Sequence, residues 1–129
     1  MIVVDASAAI CFLLNSPPDQ ASAVRSRLSG DDLHAPHLLD LEVAHALRRF
    51  VLAGALTADR ARETLSRLAQ LRVVRYPHYS FLERIWQLRS NLTAYDAAYV
   101  SLAEFLDAPL LTLDARIARA PARATIEVF

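Results

Sequence analysis

The chain has 129 residues, of which 14 are acidic and 14 are basic, so its formal net charge at pH 7 is zero. This length fits one domain, residues 1–129, and the neutral balance gives no sign of the strongly basic surface of many nucleic-acid-binding proteins. Because 54% of the residues are apolar and only 22% are charged, we expect part of the apolar excess to cover a partner rather than a core.

Hydrophobic patterning and turn residues predict strands that alternate with helices along the chain. The first half is predicted to contain a strand at 1–5, helices at 7–14 and 17–30, a strand at 33–35 and a helix at 38–52. The second half is predicted to contain a helix at 57–71, a strand at 73–76, helices at 81–90 and 95–106, and strands at 109–113 and 126–129. This alternation indicates βαβ units, so the predicted fold class is α/β with a mainly parallel sheet between helices.

Four carboxylates border or interrupt apolar segments, where a charge is costly unless it is paired: Asp5, Glu42, Asp96 and Asp114. Asp5 and Asp114 follow predicted strands, and Asp96 begins a predicted helix. All three therefore fall at the edge of a parallel sheet where such proteins bind ligands. Glu42 can reach this edge from its helix. If the fold brings the four acids together, their mutual repulsion demands a divalent cation.

Each acid also has an ordinary structural explanation. Asp is a preferred N-cap residue, so Asp5 could cap the first helix. Thr93 and Asp96 have the spacing of a capping box, and Asp114 could close a turn. Glu42 could lie on a solvated helix face, although local structure explains it least. The joint placement of the acids therefore carries the metal hypothesis.

Oxygen ligands of this kind select hard cations, Mg²⁺ or Mn²⁺. Such an ion can activate a water molecule and stabilise charge that develops on a phosphodiester, so phosphodiester hydrolysis is the predicted chemistry. The residues alone leave the choice between RNA and DNA open. The absence of lysine and the presence of only two glycines exclude a P-loop and a dinucleotide fingerprint.

The cellular setting is also constrained by the sequence. A single cysteine, Cys11, excludes an internal disulfide and fits a reducing cytoplasm. The apolar runs are too short to span a membrane, and no basic segment precedes the first of them, so no signal peptide is predicted.

Four blocks of sequence, at residues 1–8, 36–49, 93–99 and 110–116, resemble the PIN-domain family, specifically the VapC-type toxins of bacterial type II toxin–antitoxin modules. The resemblance implies a three-layer α/β/α sandwich and an endoribonuclease that depends on Mg²⁺ or Mn²⁺. It carries catalytic and metal-binding roles onto the four acids: Asp5, Glu42, Asp96 and Asp114. It also implies that Ser7 and Thr112 support the acids or a water molecule by hydrogen bonding.

The same resemblance implies a homodimer and a cognate VapB-type antitoxin that wraps the toxin and blocks its site. Two other functions remain open at this point. One is a non-catalytic α/β domain that binds a partner and uses its acids only as helix caps. The other is a DNA-directed nuclease with the same acidic site.

Overall fold

A parallel sheet of five short strands forms the centre of the fold in the computed structural model, which describes all of residues 1–129. The strands are β1 (Ile2–Val4), β2 (Leu33–Pro36), β3 (Val73–Tyr76), β4 (Leu110–Thr112) and β5 (Ile126–Val128). They lie in the order β3-β2-β1-β4-β5, and every neighbouring pair is parallel. The predicted α/β class with a parallel sheet is confirmed.

Six helices flank the sheet: α1 (Ala6–Leu14), α2 (Pro18–Leu28), α3 (Leu38–Leu52), α4 (Ala58–Gln70), α5 (Leu82–Gln87) and α6 (Ala94–Leu106). Alternate side chains of β1 enter two different apolar clusters. Val3 joins the cluster that contains the buried face of α6, whereas Ile2 and Val4 join the cluster formed with α1 and α2. Helices therefore cover both faces of the sheet, as the α/β/α prediction requires. No helix is both long and apolar enough to cross a lipid bilayer.

The largest local departure from the predicted elements is the segment expected to be one helix at 81–90. It forms a 3₁₀ turn at Tyr79–Phe81 followed by the short helix α5, which ends at Gln87. The Leu88 side chain is fully buried, and its N–H is shared between the carbonyls of Arg84 and Ile85 at 3.2 Å, as is common at the end of a helix. The turn that follows returns the chain to the start of α6.

The pairing of β1 with β4 positions the site. Val3 lies beside Leu110 and Val4 beside Leu111 in parallel register, and the N–H of Asp5 donates to the carbonyl of Leu111 at 3.2 Å. The two strands therefore end side by side at the centre of the sheet. The residues that follow them come from opposite ends of the sequence and meet at one edge.

Candidate active site

Asp5 is both the N-cap of α1 and a buried carboxylate at the centre of the site. Its Oδ1 accepts hydrogen bonds from the N–H of Ala8 at 2.9 Å and from Ser7 Oγ at 2.6 Å, and its Oδ2 accepts one from the hydroxyl of Thr112. The residue is only 5% exposed. Burial raises the pKa of the Asp5 carboxyl, and the hydrogen bonds it accepts offset part of that rise. The capping explanation is thus correct, but it accounts for one of three hydrogen bonds.

Ser7 and Thr112 connect the start of α1 to the end of β4. Thr112 Oγ1 donates to Asp5 and accepts from the N–H of Asp114 at 2.9 Å. Ser7 Oγ accepts from the N–H of Leu113 at 2.9 Å. Both hydroxyls therefore hold the Asp5 carboxylate and the chain that leads to Asp114 in fixed positions, which is the arrangement that supporting residues would need.

Glu42 brings a carboxylate to this edge from α3. Its Oε1 is buried and has no hydrogen-bond partner, and the hydroxyl of Tyr99 lies close to it without forming a hydrogen bond of regular geometry. Burial raises the pKa of Glu42, and the charges of Asp96 and Asp5 raise it further. An orphaned, desolvated carboxylate oxygen is costly, so the solvated-face explanation does not describe this residue.

Asp96 lies in the first turn of α6. Thr93 is the N-cap, and its Oγ1 accepts from the N–H of Asp96 at 3.2 Å, but the Asp96 carboxylate returns no hydrogen bond to the Thr93 amide. Only half of the predicted capping box therefore forms. Burial raises the pKa of Asp96, and the charge of Asp114 adds to that rise, whereas the side chain of Thr93 acts to lower it.

Asp114 follows β4 and is bound by a neighbouring arginine. Arg116 Nη2 lies 2.7 Å from Asp114 Oδ2, and Arg116 Nε lies 3.0 Å from Oδ1. These hydrogen bonds lower the pKa of Asp114 below its usual range. Asp114 therefore differs in its electrostatic state from the other three acids.

The fold brings the predicted acids to one edge of the sheet but does not assemble them into a finished metal site. Asp5, Glu42 and Asp96 repel one another through space, and Asp114 repels Asp96. No three Asp, Glu, His or Cys side chains of the chain are placed so that they could hold one ion as they stand. The donor chemistry fits a hard cation, because such an ion would neutralise these carboxylates and satisfy the orphaned Glu42 oxygen. Coordination would require the side chains to move closer together.

Most of the sequence also matches a known domain, since the profile of the PIN domain fits residues 2–123. The chain belongs to the PIN-domain family. Ribonuclease VapC1 of Mycobacterium tuberculosis is 48% identical to this PIN domain over 120 residues, which cover 92% of this chain and 90% of that protein. Ribonuclease VapC9 of the same species is 46% identical over 117 residues, which cover 91% and 88%.

A solved structure supports the same fold. The crystal structure of VapBC2 from Rickettsia felis, bound to a DNA fragment from their promoter, matches this PIN domain with a TM-score of 0.71. The match covers 100% of this chain and 99% of that chain at 13% sequence identity. At that identity the likeness concerns the fold alone.

Two residues beside the acids, Tyr99 and Arg116, were not assigned to the acidic site from the sequence, where Arg116 was one of several arginines that could touch a phosphate but was better explained by a solvated face. Tyr99 is buried near three of the acids, and the largest cause of its raised pKa is burial, followed by the charge of Glu42. It follows Asp96 by three positions on α6, so helical spacing could have placed it on the same face. Arg116 follows Asp114 by two positions, and its pairing with that acid depends on the turn after β4, which the sequence pattern does not specify.

An apolar cavity of about 740 Å³ adjoins the acids of this PIN domain, between α1 and α3. Ser7 and Glu42 belong both to its lining and to the acidic site. Its apolar lining includes Ile10, Leu38, Leu41 and Phe50. The cavity opens beside the carboxylates, so a molecule bound in it would cover the approach to them.

Proposed function

We propose that this PIN-domain protein is a VapC-type ribonuclease toxin that hydrolyses RNA phosphodiester bonds, with Mg²⁺ or Mn²⁺ held by Asp5, Glu42, Asp96 and Asp114. The observation that carries the proposal is the desolvation of three mutually repelling carboxylates, one of them with an unpartnered buried oxygen. The choice of RNA is supported by the relatives, VapC1 and VapC9, which are ribonucleases at 46–48% identity.

Three of the acids would have different roles in binding the cation and in hydrolysis. Asp5 is the rigid member of the set, because three hydrogen bonds fix its carboxylate. Glu42 contributes the orphaned oxygen Oε1, and Asp96 projects a less buried carboxylate that can orient the attacking water and accept its proton. A bound divalent cation would lower the pKa of that water and stabilise negative charge on the phosphate.

The primary experiment measures cleavage of RNA and of single-stranded DNA of the same sequence by the purified protein, with Mn²⁺ and with EDTA. We expect cleavage of RNA only, its loss in EDTA, and its loss in the Asp96→Asn variant. Asp59→Asn is the matched control, because Asp59 also lies in the first turn of a helix, α4, but is exposed and far along the chain from the site. Full RNA cleavage by a folded Asp96→Asn protein would refute the assignment, and equal cleavage of DNA would favour the DNA-directed alternative.

The cognate antitoxin is the partner that we propose for the apolar cavity between α1 and α3. An apolar segment of a VapB-type antitoxin would bury the exposed Leu41 side chain and cover Glu42 at the same time. The charged variant Leu41→Glu should weaken antitoxin binding measured by calorimetry. Leu52→Glu is its control, because Leu52 is equally exposed on the same helix but lies outside the cavity. Equal loss of binding in both variants would contradict the placement.

The protein is further proposed to form a homodimer and to act in the cytoplasm. Tyr79, Leu82 and Trp86 expose apolar side chains on the 3₁₀ turn and on α5, and a second copy of the chain would remove them from water. Light scattering should give a dimer for the wild type and a monomer for Trp86→Glu, while Leu65→Glu on α4 remains dimeric. The free, buried thiol of Cys11 is compatible with a reducing compartment.

A further inference from the structure

Asp114 is the acid of the four that already has a counter-ion. Arg116 Nε lies 3.0 and 3.2 Å from the two carboxylate oxygens of Asp114, and Nη2 lies 2.7 Å from Oδ2. The backbone N–H of Arg116 also donates to Oδ1 at 3.0 Å. Both oxygens of Asp114 are therefore in use, and neither is free to bind a cation while this pairing lasts.

The positive charge of Arg116 acts on the acidic site. Its positive charge lowers the pKa of Asp96, against the larger effect of burial, which raises it. Its side chain is 83% exposed and makes polar contacts only with Asp114. The guanidinium can therefore change partners without disturbing the core.

The backbone beneath this arginine is well anchored. The neighbouring Ile117 is 1% exposed, and its N–H donates to the carbonyl of Asp114 at 3.2 Å. The turn thus holds Arg116 at the edge of the acidic site while its long side chain remains in solvent. A fixed backbone with an exposed guanidinium suits a residue that binds a phosphate.

Exchange of partners is chemically reasonable for an arginine. The guanidinium fork matches the paired oxygens of a phosphate as well as those of a carboxylate. An exposed ion pair contributes little to stability, so breaking this one costs little. A cation bound by the acids would compete with Arg116 for Asp114, and RNA would supply the alternative anion.

We propose that Arg116 is a substrate-binding residue that pairs with Asp114 in the free protein and moves to a non-bridging oxygen of the scissile phosphate when cation and RNA bind. This inference rests on the proposed ribonuclease function. When Arg116 leaves Asp114, the carboxylate of Asp114 becomes available as a ligand for the cation as the substrate binds. The residue thus couples completion of the acidic site to occupancy by RNA.

The test compares Arg116→Ala with the wild type in two measurements, Mn²⁺ binding by calorimetry and cleavage of a random-sequence RNA oligonucleotide at saturating Mn²⁺. The Arg116→Ala protein should bind Mn²⁺ more tightly, on the order of fivefold, because a competing positive charge is gone. Its kcat should fall about 100-fold, because a donor to the reacting phosphate is lost. A residue with a merely structural role would not move the two quantities in opposite directions.

Two further variants sharpen the result. Arg119→Ala removes an exposed arginine from the same turn and should leave both quantities unchanged. Arg116→Lys keeps the charge without the fork and should retain part of the cleavage. Weaker Mn²⁺ binding by Arg116→Ala, or cleavage within about twofold of the wild type, would overturn the inference. A wild-type protein that neither binds Mn²⁺ nor cleaves RNA would instead refute the proposed function.

Discussion

Replacing Asp96 by asparagine should separate the activity of this protein from its stability. In the folded protein, burial and the charge of Asp114 raise the pKa of Asp96 above its unfolded value. The ionised carboxylate therefore destabilises the fold increasingly as the pH rises from the unfolded pKa to the folded one, and fully at pH 7. Asparagine removes this penalty, but it also removes a favourable charge from the first turn of α6, which costs about 0.3–1 kcal/mol.

These changes in the free energy of unfolding can be measured as shifts in melting temperature. For a chain of 129 residues, 1 kcal/mol corresponds to about 4 °C. The control Asp59→Asn suffers only the helix-terminal loss and should melt about 1–4 °C below the wild type. Asp96→Asn has the same loss, but it also removes a desolvated charge and its repulsion with Asp114. In EDTA at pH 7 we therefore expect this variant to melt at or above the wild-type temperature.

Mn²⁺ should reverse that order. At a free concentration about 100 times the dissociation constant, binding stabilises the wild type by about 2.7 kcal/mol, or roughly 10 °C. Asp96→Asn lacks a ligand and should show little of this shift. Differential scanning fluorimetry at one protein concentration measures all of these differences. A loss of stability in EDTA equal to that of Asp59→Asn, or a Mn²⁺ shift equal to that of the wild type, would contradict the electrostatic account.

Two further predictions concern the supports of the site and of the fold. Thr112→Val leaves Asp5 without one hydrogen bond and the partly buried N–H of Asp114 without an acceptor, so it should lower the free energy of unfolding by about 1–3 kcal/mol in urea titrations. Glu104→Gln breaks a largely buried pair in which Arg84 donates to both oxygens at 2.8 and 2.9 Å, and it should cost about 1–3 kcal/mol at pH 7. Burial acts to raise the pKa of Glu104, but hydrogen bonding to Arg84 outweighs it and leaves the pKa lowered. The cost of Glu104→Gln should therefore disappear as the pH falls below the folded pKa of Glu104, because the Glu104 carboxylate of the wild type is then protonated and has lost its charge.

Matched controls make both results interpretable. Thr125→Val alters an exposed threonine outside the site and should change stability by less than about 0.5 kcal/mol. Glu63→Gln breaks an exposed pair with Arg60, whose atoms are 3.8 Å apart, and should also have little effect. If either control is as costly as its partner variant, then the loss is not due to the buried hydrogen bonds.

The sheet and the edge that carries the acids could be predicted because their signals are local and periodic. Short β-branched runs between helical patterns indicate parallel strands, and parallel strands bring Asp5 and Asp114 to the same edge. The capping role of Asp5 was equally readable, since Asp at that position before a helix is common. These features depend on residue type and spacing within a few positions.

The features that could not be predicted depend on packing over long distances. Glu42 was an ambiguous helix residue in the sequence, and only the fold shows that its Oε1 is buried without a partner. The pairing of Arg116 with Asp114 depends on the geometry of one turn. The early end of α5 at Gln87, beside the buried Leu88, is not revealed by a run of helix-compatible residues.

The bond between Thr112 and Asp5 joins residues that are 107 positions apart in the chain. During synthesis on the ribosome, Asp5 emerges first, and Thr112 at the end of β4 follows 107 residues later. A nascent chain that lacks β4 has neither the hydroxyl that fixes Asp5 nor the neighbouring strand that aligns it. The acidic site can therefore form only after synthesis has passed β4, because Asp5 and the residue that fixes its carboxylate are then both present.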